Sequence, residues 1–277
     1  MNSTERRSRL QNRWWRDIDT RLEKLDIEFH SLGYDEFGIS RKFLKWFYTA
    51  LAPLYFDYFK VSLAGTQHIP SHGRCMLVGN HSGGIPVDGG MLTAALFFGL
   101  ESPRHPHGMV EKFAQNIPFL SQWFSRIGQL TGLPEHARLM LERERLLVVF
   151  PEGVRGIGKL WNERYQLERF GTGFVRIALE TNTPIIPFAF IGGEEAFPTQ
   201  FHLKKLARLI GVPYIPIPKH LIPVPKPVPC RIEFGAPLRF SGAVNESDEM
   251  IEKHVTTVKN EIRRLITTGR KAQEMSS

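Results

Sequence analysis

Short apolar runs alternate along the chain with longer segments in which apolar residues recur at helical spacing. A run of roughly four to eight apolar residues between turn signals is typical of a buried strand. Regular alternation of such strands with helices favours an α/β fold, with a mixed, largely parallel sheet flanked by helices. The predicted strands are Cys75–Val78, Leu146–Phe150, Ile185–Ile191 and Cys230–Phe234. The predicted helices are Met91–Phe98, Phe119–Ile127, Glu135–Arg145 and Gly173–Glu180.

Residues 1–60 are predicted to form an N-terminal helical appendage to this α/β domain. Apolar residues in Trp14–Phe29 recur on one face of a helix. The segment Phe43–Phe59 is rich in aromatic residues, and Pro53 within it is expected to kink a helix.

The aromatic segment has two interpretations, which the sequence leaves open. Lys45 and Asp57 within it argue against a helix that spans lipid. Aromatic side chains at headgroup depth, with lysines toward phosphate, are typical of an interfacial helix, so residues 10–60 would dock the protein on a membrane. The alternative is a helix whose aromatic side chains are buried against the α/β domain.

The α/β domain is predicted to occupy residues 61–267, followed by a disordered tail over 268–277. A final helix is predicted because apolar residues share one helical face near the C-terminus. The preceding segment 211–229 is rich in proline and is expected to be extended, as a rim loop, a partner ligand or a linker. The residues on the predicted helical face are Ile251, Val255, Val258, Ile262 and Leu265.

The net charge of the chain indicates which classes of binding partner to expect. The chain has 36 Lys and Arg against 28 Asp and Glu, a net charge of +8, which favours anionic partners such as phospholipid headgroups or coenzyme A phosphates. Nucleic acid is not among the predicted partners, because no zinc finger or RNP-like block accompanies the charge. Cys75 and Cys230 lie in apolar runs and are predicted to be buried free thiols, which suits a reducing compartment.

The sequence also bears on location. The N-terminal residues contain no apolar core of a secretory signal, and no stretch of about twenty apolar residues is present. We therefore expect a peripheral protein on the cytoplasmic face of a membrane. No metal site is predicted, because His68, His72, His105 and His107 lack zinc-ligand spacing and are interpreted as loop histidines.

The stretch most indicative of chemistry is Val78-Gly79-Asn80-His81-Ser82-Gly83-Gly84-Ile85-Pro86-Val87-Asp88-Gly89-Gly90, a turn between a predicted strand and a predicted helix. Glycine and proline bend the backbone there and limit side-chain crowding. An imidazole takes a proton from an alcohol, and a carboxylate orients it and stabilises the imidazolium. His81 and Asp88 are therefore candidate catalytic residues. The alternative is a surface or capping pair.

A second stretch strengthens the functional interpretation of the first. It is Val148-Val149-Phe150-Pro151-Glu152-Gly153-Val154-Arg155. Together they resemble the Asn-His-x4-Asp and Phe-Pro-Glu-Gly-x-Arg blocks of the lysophospholipid acyltransferase (phospholipid/glycerol acyltransferase) family. Residues 111–128 and 183–190 resemble the intervening segment and the later Pro-x-x-Pro strand. The resemblance covers roughly residues 63–240. Two features depart from the family pattern: six residues, Ser82–Val87, separate His81 from Asp88, and Val154 replaces a hydroxyl residue.

The resemblance implies an acyltransferase domain over residues 61–267. In the implied reaction, His81 is the general base, Asp88 orients it, and Glu152, Gly153 and Arg155 bind the acceptor. The guanidinium of Arg155 suits a phosphate because it makes paired, charge-assisted hydrogen bonds. The implied donor is acyl-CoA or an acyl carrier protein thioester, which is a co-substrate, and no cofactor is expected. The remaining implied partners are a lipid acceptor and a membrane surface.

Alternative functions remain open at this point. The acceptor is either a lysophospholipid or glycerol phosphate, or a neutral lipid alcohol such as mono- or diacylglycerol. A non-catalytic lipid-binding protein on the same fold is the alternative that the longer His–Asp spacing favours. Lys159, Arg164 and Arg169 either extend the basic surface next to Arg155 or form a solvated charged face.

Overall fold

The computed structural model of the protein describes residues 17–110, 120–209, 211–243 and 245–275. The strands in these ranges are β1 (Ser62–Ala64), β2 (Cys75–Gly79), β3 (Pro106–Val110), β4 (Leu130–Thr131), β5 (Leu146–Val149), β6 (Ile185–Ile191), β7 (Thr199–His202), β8 (Pro216–Pro218) and β9 (Arg231–Phe234). The helices are α1 (residues 17–23), α2 (Arg41–Pro53), α3 (Val87–Phe98), α4 (Leu120–Arg126), α5 (Pro134–Glu142), α6 (Val154–Ile157), α7 (Gly173–Glu180), α8 (Gly193–Ala196), α9 (Lys204–Leu209) and α10 (Asp248–Glu274).

Seven of these strands form one sheet in the order β1-β9-β6-β2-β5-β3-β4. The central strand β2 is parallel to both neighbours, so Leu77 lies opposite Val148 of β5 and Ile186 of β6. Only the β6–β9 pair among the strands of this sheet is antiparallel. The predicted mixed, largely parallel sheet flanked by helices is confirmed. The short strands β7 and β8 pair separately.

The central strands are apolar throughout because both of their faces are buried. Adjacent residues of a strand point to opposite faces, so Leu77 and Val78 enter different hydrophobic cores. On one face Leu77 joins Tyr48 of α2 and Phe97 of α3, whose rings stack with centroids 3.6 Å apart. On the other face Val78 joins side chains of α5, α7 and α10. Each fully buried apolar side chain contributes about 1.5–3 kcal/mol.

The predicted strands agree with the observed ones to within one residue at each end. The sequence pattern does not predict the remaining strands, because they are short or contain proline, histidine and glycine. These strands are β1, β3, β4, β7 and β8. Helix α3 begins at Val87, earlier than the predicted start at Met91. This difference matters because it puts Asp88 in the first turn of the helix rather than in the preceding loop.

The N-terminal segment is part of the same hydrophobic core as the sheet. Ile18 and Leu22 of α1 are buried there, and the Arg21 guanidinium donates to the carbonyl oxygens of Phe97 and Leu100 at 2.8 and 3.0 Å. The prediction of a helix up to Phe29 was wrong, because α1 ends at residue 23 and the chain turns. Trp14, at the start of that prediction, lies outside the described residues.

Helix α2 continues into a π-helical turn, Leu54–Tyr58, directly after Pro53. Leu44 and Tyr48 on its inner face are buried in the core, as the packed-helix interpretation predicts. The opposite side, here called the outer α2 face, consists of Phe43, Trp46 and Leu54. Trp46 is 72% exposed, so α2 also presents apolar surface that the core does not use. No helix among the described residues is long and apolar enough to cross a membrane.

The C-terminal helix is longer than predicted. The prediction of a disordered tail over 268–277 was wrong for residues 268–274, because α10 continues to Glu274. Gly269 is buried in this last part, and a Cβ added there would lie 2.6 Å from Ile191 Cδ1. Glycine therefore lets the helix approach β6 closely. The Arg270 guanidinium lies 4.7 Å from the ring centre of Tyr165 and fixes the same turn.

His105 and His107 have a structural role at the start of β3, and both are buried. His105 lies in the loop before the strand, as predicted, whereas His107 lies within β3, which corrects its interpretation as a loop histidine. The His105 ring is hydrogen-bonded to the Tyr48 hydroxyl at 2.6 Å and to the Ile127 carbonyl oxygen at 3.0 Å. Burial lowers the pKa of His105 to about 4, so this ring is neutral near pH 7. Cys75 and Cys230 are buried free thiols, as predicted.

Candidate functional site

His81 and Asp88 meet at the carboxyl edge of the central strand. His81 is the second residue after β2, and Asp88 lies in the first turn of α3. The imidazole Nδ1 lies 2.7 Å from Asp88 Oδ2, and the same oxygen accepts the Ser82 N–H at 2.7 Å. The Asp88 side chain is fully buried, whereas 15% of the His81 side chain is exposed. The carboxylate is therefore held inside the protein, while the imidazole is partly exposed.

The six-residue loop between them folds back by means of two glycines in left-handed conformations. Gly83 has a φ of +91° and Gly84 a φ of +67°. A Cβ at Gly83 would lie 2.7 Å from the Gly193 carbonyl oxygen, so this position excludes larger residues. The Gly84 N–H donates to the Ile157 carbonyl oxygen at 3.1 Å and ties the loop to α6. The additional length is thus accommodated between α6 and α8, and the His–Asp contact is kept.

Two contacts define the orientation of the imidazole. Its ring stacks on Phe150, with centroids 4.1 Å apart and an interplanar angle of 17°. Because a carboxylate only accepts hydrogen bonds, Asp88 selects the tautomer in which Nδ1 carries the proton. The neutral Nε2 then has a lone pair available as a base. This is the arrangement that general-base catalysis requires.

Glu152 is buried beneath the imidazole and makes its contacts inside the protein. Its Oε1 accepts the His81 backbone N–H at 2.9 Å. Its Oε2 accepts the Glu168 N–H at 2.7 Å and the Lys159 ammonium at 3.3 Å. Glu152 is 1% exposed. The Glu152 carboxylate therefore fixes the position of the His81 backbone.

Lys159 and Glu194 extend this buried polar cluster. Lys159 is 5% exposed and lies 4.0 Å from Glu194 in addition to its contact with Glu152. Burial raises the pKa of Glu194 to about 7, an effect that the Lys159 charge partly opposes. The sequence placed Lys159 with Arg164 and Arg169 on a basic surface, but only the two arginines are exposed.

Arg155 lies in α6, the short helix that packs against His81. A Cβ added to the next residue, Gly156, would lie 3.0 Å from His81 Cβ. Arg155 lines a cavity of about 590 Å³, and its guanidinium donates to the Arg169 carbonyl oxygen at 3.0 Å. Gly153 precedes this helix with a φ of +56°, a conformation that favours glycine. Of the three residues assigned to the acceptor, Arg155 is the one that lines this cavity.

Asn80 and Ser82 complete the turn, and the pattern of the sequence did not reveal their contacts. The Asn80 side chain is buried and pairs with both backbone groups of Phe190, at 2.8 and 3.0 Å. It thereby joins the ends of β2 and β6. The Ser82 hydroxyl is fully buried beside Gly193 and faces away from solvent. This burial argues against Ser82 as a covalent nucleophile.

The predicted block Glu111–Phe119 lies outside the described residues. In the part of the chain that the structure describes, no group of three or more His, Cys, Asp or Glu side chains is arranged to hold a metal ion.

Comparison with known proteins agrees with this arrangement. The model of the acyltransferase family matches residues 60–191. An uncharacterized protein of Mycobacterium leprae (strain TN) is 34% identical over 241 residues, which are 80% of this chain and 63% of that protein. The 1-acyl-sn-glycerol-3-phosphate acyltransferase of Limnanthes alba is 27% identical over 144 residues, 48% of this chain and 45% of that protein. This chain thus spans less than two thirds of the length of either relative.

The fold is similar to that of a solved acyltransferase. The crystal structure of the 1-acyl-sn-glycerophosphate (LPA) acyltransferase PlsC from Thermotoga maritima superposes with a TM-score of 0.51 at 17% identity, over 81% of this chain and 79% of that chain. Together with the family match, this similarity confirms the resemblance seen in the sequence blocks. Residues 60–191, which contain His81, Asp88, Glu152 and Arg155, belong to the acyltransferase family.

Proposed function

We propose that this protein transfers a fatty acyl group from a thioester to a hydroxyl of a glycerol-phosphate or lysophospholipid acceptor. The observation that carries the proposal is the contact at 2.7 Å between Nδ1 of His81, whose side chain is 15% exposed, and Oδ2 of the buried Asp88. The family membership of residues 60–191 supports acyl transfer as the class of reaction.

The proposed chemistry needs no covalent acyl-enzyme. His81 Nε2 takes the proton of the acceptor hydroxyl while its oxygen attacks the thioester carbonyl carbon. The C–S bond of the tetrahedral intermediate then breaks, and the leaving thiolate takes the proton from the imidazolium. Asp88 keeps the tautomer and opposes the positive charge on the ring. General-base catalysis of this kind typically contributes about 10²–10⁴-fold.

The acceptor phosphate is proposed to bind on the Arg155 side of α6. Arg155 lines the 590 Å³ cavity, and a guanidinium forms paired, charge-assisted bonds with phosphate oxygens. Glu152 and Gly153 would contribute indirectly, since Glu152 holds the His81 backbone and Gly153 permits the turn before α6. In this proposal the three residues of the block act together, but only Arg155 contacts the acceptor.

A peripheral membrane contact is proposed through the outer α2 face. Phe43 and Trp46 are exposed there beside Lys42, a combination suited to an anionic lipid surface, whereas the neighbouring Lys45 pairs with Asp19 at 2.7 Å. The double substitution Phe43→Glu and Trp46→Glu should reduce co-sedimentation with anionic liposomes. Leu139→Glu on α5, also at an exposed leucine, is the matched control. Unchanged co-sedimentation of the double variant would remove this surface from the proposal.

The activity itself is tested with purified protein and a panel of substrates. Long-chain acyl-CoA and acyl carrier protein thioesters are each combined with glycerol 3-phosphate, a lysophospholipid and monoacylglycerol, and products are identified by lipid mass. Acylation of a phosphate-bearing acceptor supports the proposal. Acylation of monoacylglycerol alone would assign a neutral acceptor. Lipid binding without any product would favour the non-catalytic alternative.

A further inference from the structure

The 590 Å³ cavity beside α6 is closed on its other side by α9, a helix outside the matched family domain. Its volume lies within the range of small-molecule sites. Basic side chains from both helices line it, together with the aromatic ring of Tyr214. The basic lining residues are Arg155, Lys159, His202, Lys204 and Arg208.

The two cations of α9 reach the cavity because of their helical spacing. Lys204 and Arg208 are four residues apart, so they lie on one face of the helix. Lys205 is exposed on the same helix but does not line the cavity. The helix thus supplies two cations that line the cavity and a neighbouring exposed lysine that does not line it.

Among the described residues, the exposed cations of the cavity have no ion-pair partner. No carboxylate of the described residues lies within 4 Å of the charged groups of Arg155, Lys204 or Arg208. Lys159 is different, because Glu152 and Glu194 pair with it. Glu163 and Glu168 also line the cavity, and the Glu163 carboxylate already accepts the Leu160 N–H at 2.9 Å. The lining thus holds three cations without a carboxylate partner and two carboxylates, and this excess of positive charge favours an anionic ligand.

We propose that this cavity binds a phosphate monoester, and that Lys204 and Arg208 determine the preference for phosphate-bearing substrates. This inference rests on the proposed acyl transfer and extends it to residues outside the signature blocks. Arg155 would grip the phosphate from α6, while Lys204 and Arg208 approach it from α9. The cavity lies next to the catalytic turn, because Gly156, the neighbour of Arg155 in α6, packs on His81.

The phosphate can come from either substrate. In a glycerol-phosphate acceptor it lies a few bonds from the reacting hydroxyl. In acyl-CoA it belongs to the nucleotide, at the far end of the pantetheine arm from the thioester. Both sources share the same chemistry at the cavity, so they are separated by experiment.

The test compares the double variant Lys204→Ala and Arg208→Ala with wild type and with Lys205→Ala. One arm uses acyl-CoA with glycerol 3-phosphate or monoacylglycerol as the acceptor. The other uses one acceptor with acyl-CoA or acyl-pantetheine as the donor. Because the side chains are exposed and screened by salt, we expect the KM of the phosphate-bearing substrate to rise about tenfold at low ionic strength. The Lys205 variant should remain within about twofold of wild type.

A rise confined to glycerol 3-phosphate assigns the acceptor, and one confined to acyl-CoA assigns the donor. Equal KM values for the double variant and Lys205→Ala with every substrate would overturn the inference. A binding measurement separates this failure from failure of acyl transfer. Glycerol 3-phosphate or coenzyme A, but neither glycerol nor pantetheine, should raise the Tm of wild type, and the double variant should lose this shift. If neither phosphate-bearing compound shifts the Tm of wild type, the cavity is not a phosphate site, whatever the activity.

Discussion

Glu152→Gln should destabilise the protein strongly, because the native carboxylate accepts hydrogen bonds at both oxygens. One oxygen accepts the His81 N–H, and the other accepts the Glu168 N–H and the Lys159 ammonium. Glutamine replaces one oxygen with an NH₂ group, which faces a donor whichever way the amide is turned. It also removes the negative charge closest to the buried Lys159.

The magnitude follows from these losses. Removing one partner of a buried ion pair typically costs about 3–5 kcal/mol. For a chain of this size, about 1 kcal/mol corresponds to roughly 2–4 °C, so the Tm should fall by about 6–20 °C. The His81 backbone also loses support, and a misplacement of about 1 Å at a catalytic group can reduce the rate by about 10²-fold.

Urea unfolding at 25 °C and the kcat for acyl transfer measure these two effects. Glu101→Gln is the control, because it makes the same change at an exposed position and should alter stability by less than about 0.5 kcal/mol. The reasoning would be refuted if Glu152→Gln unfolded with the same free energy as the control and kept the wild-type kcat.

Three further predictions concern neighbouring groups. Arg155→Ala should raise the KM for glycerol 3-phosphate about tenfold and leave that for monoacylglycerol unchanged; equal increases for both would make the arginine structural. Because the pKa of Glu194 is raised from 4.5 to about 7, its contribution to stability is greatest below pH 4.5 and is lost as the pH rises toward 7, by about 3 kcal/mol. Glu194→Gln should remove this decline in urea unfolding at pH 5 and 8, and an unchanged slope would contradict it. Asn80→Ala should cost about 2–4 kcal/mol by leaving both backbone groups of Phe190 unpaired, and a wild-type Tm would exclude this.

The fold could be predicted where burial imposes a pattern. Strands β2, β5 and β6 are buried on both faces, so they appear as continuous apolar runs. The start of α3 was less visible because Gly89 and Gly90 are weak helix formers, although tertiary contacts hold this turn. The end of α10 was missed because its sequence is polar, while the contact of Gly269 with β6 is not apparent from periodicity.

The candidate site shows a similar limit. His81 and Asp88 were recognised from one turn, and the geometry of that turn brings them together. Glu152 stands 71 residues from His81, so no local pattern could reveal its bond to the His81 N–H. The role of Lys159 was equally hidden, because a lysine in a basic stretch is usually solvated, whereas this one is buried between two carboxylates.

The measurement that tests the account most directly is acyl transfer by His81→Ala, followed as thiol release from long-chain acyl-CoA in the presence of a confirmed acceptor. The imidazole is partly exposed, so the variant should remain folded, and its Tm serves as the control. We predict that the rate falls by at least about 10²–10⁴-fold, because the base that removes the hydroxyl proton is absent. A folded His81→Ala protein with the wild-type rate would contradict the proposed mechanism.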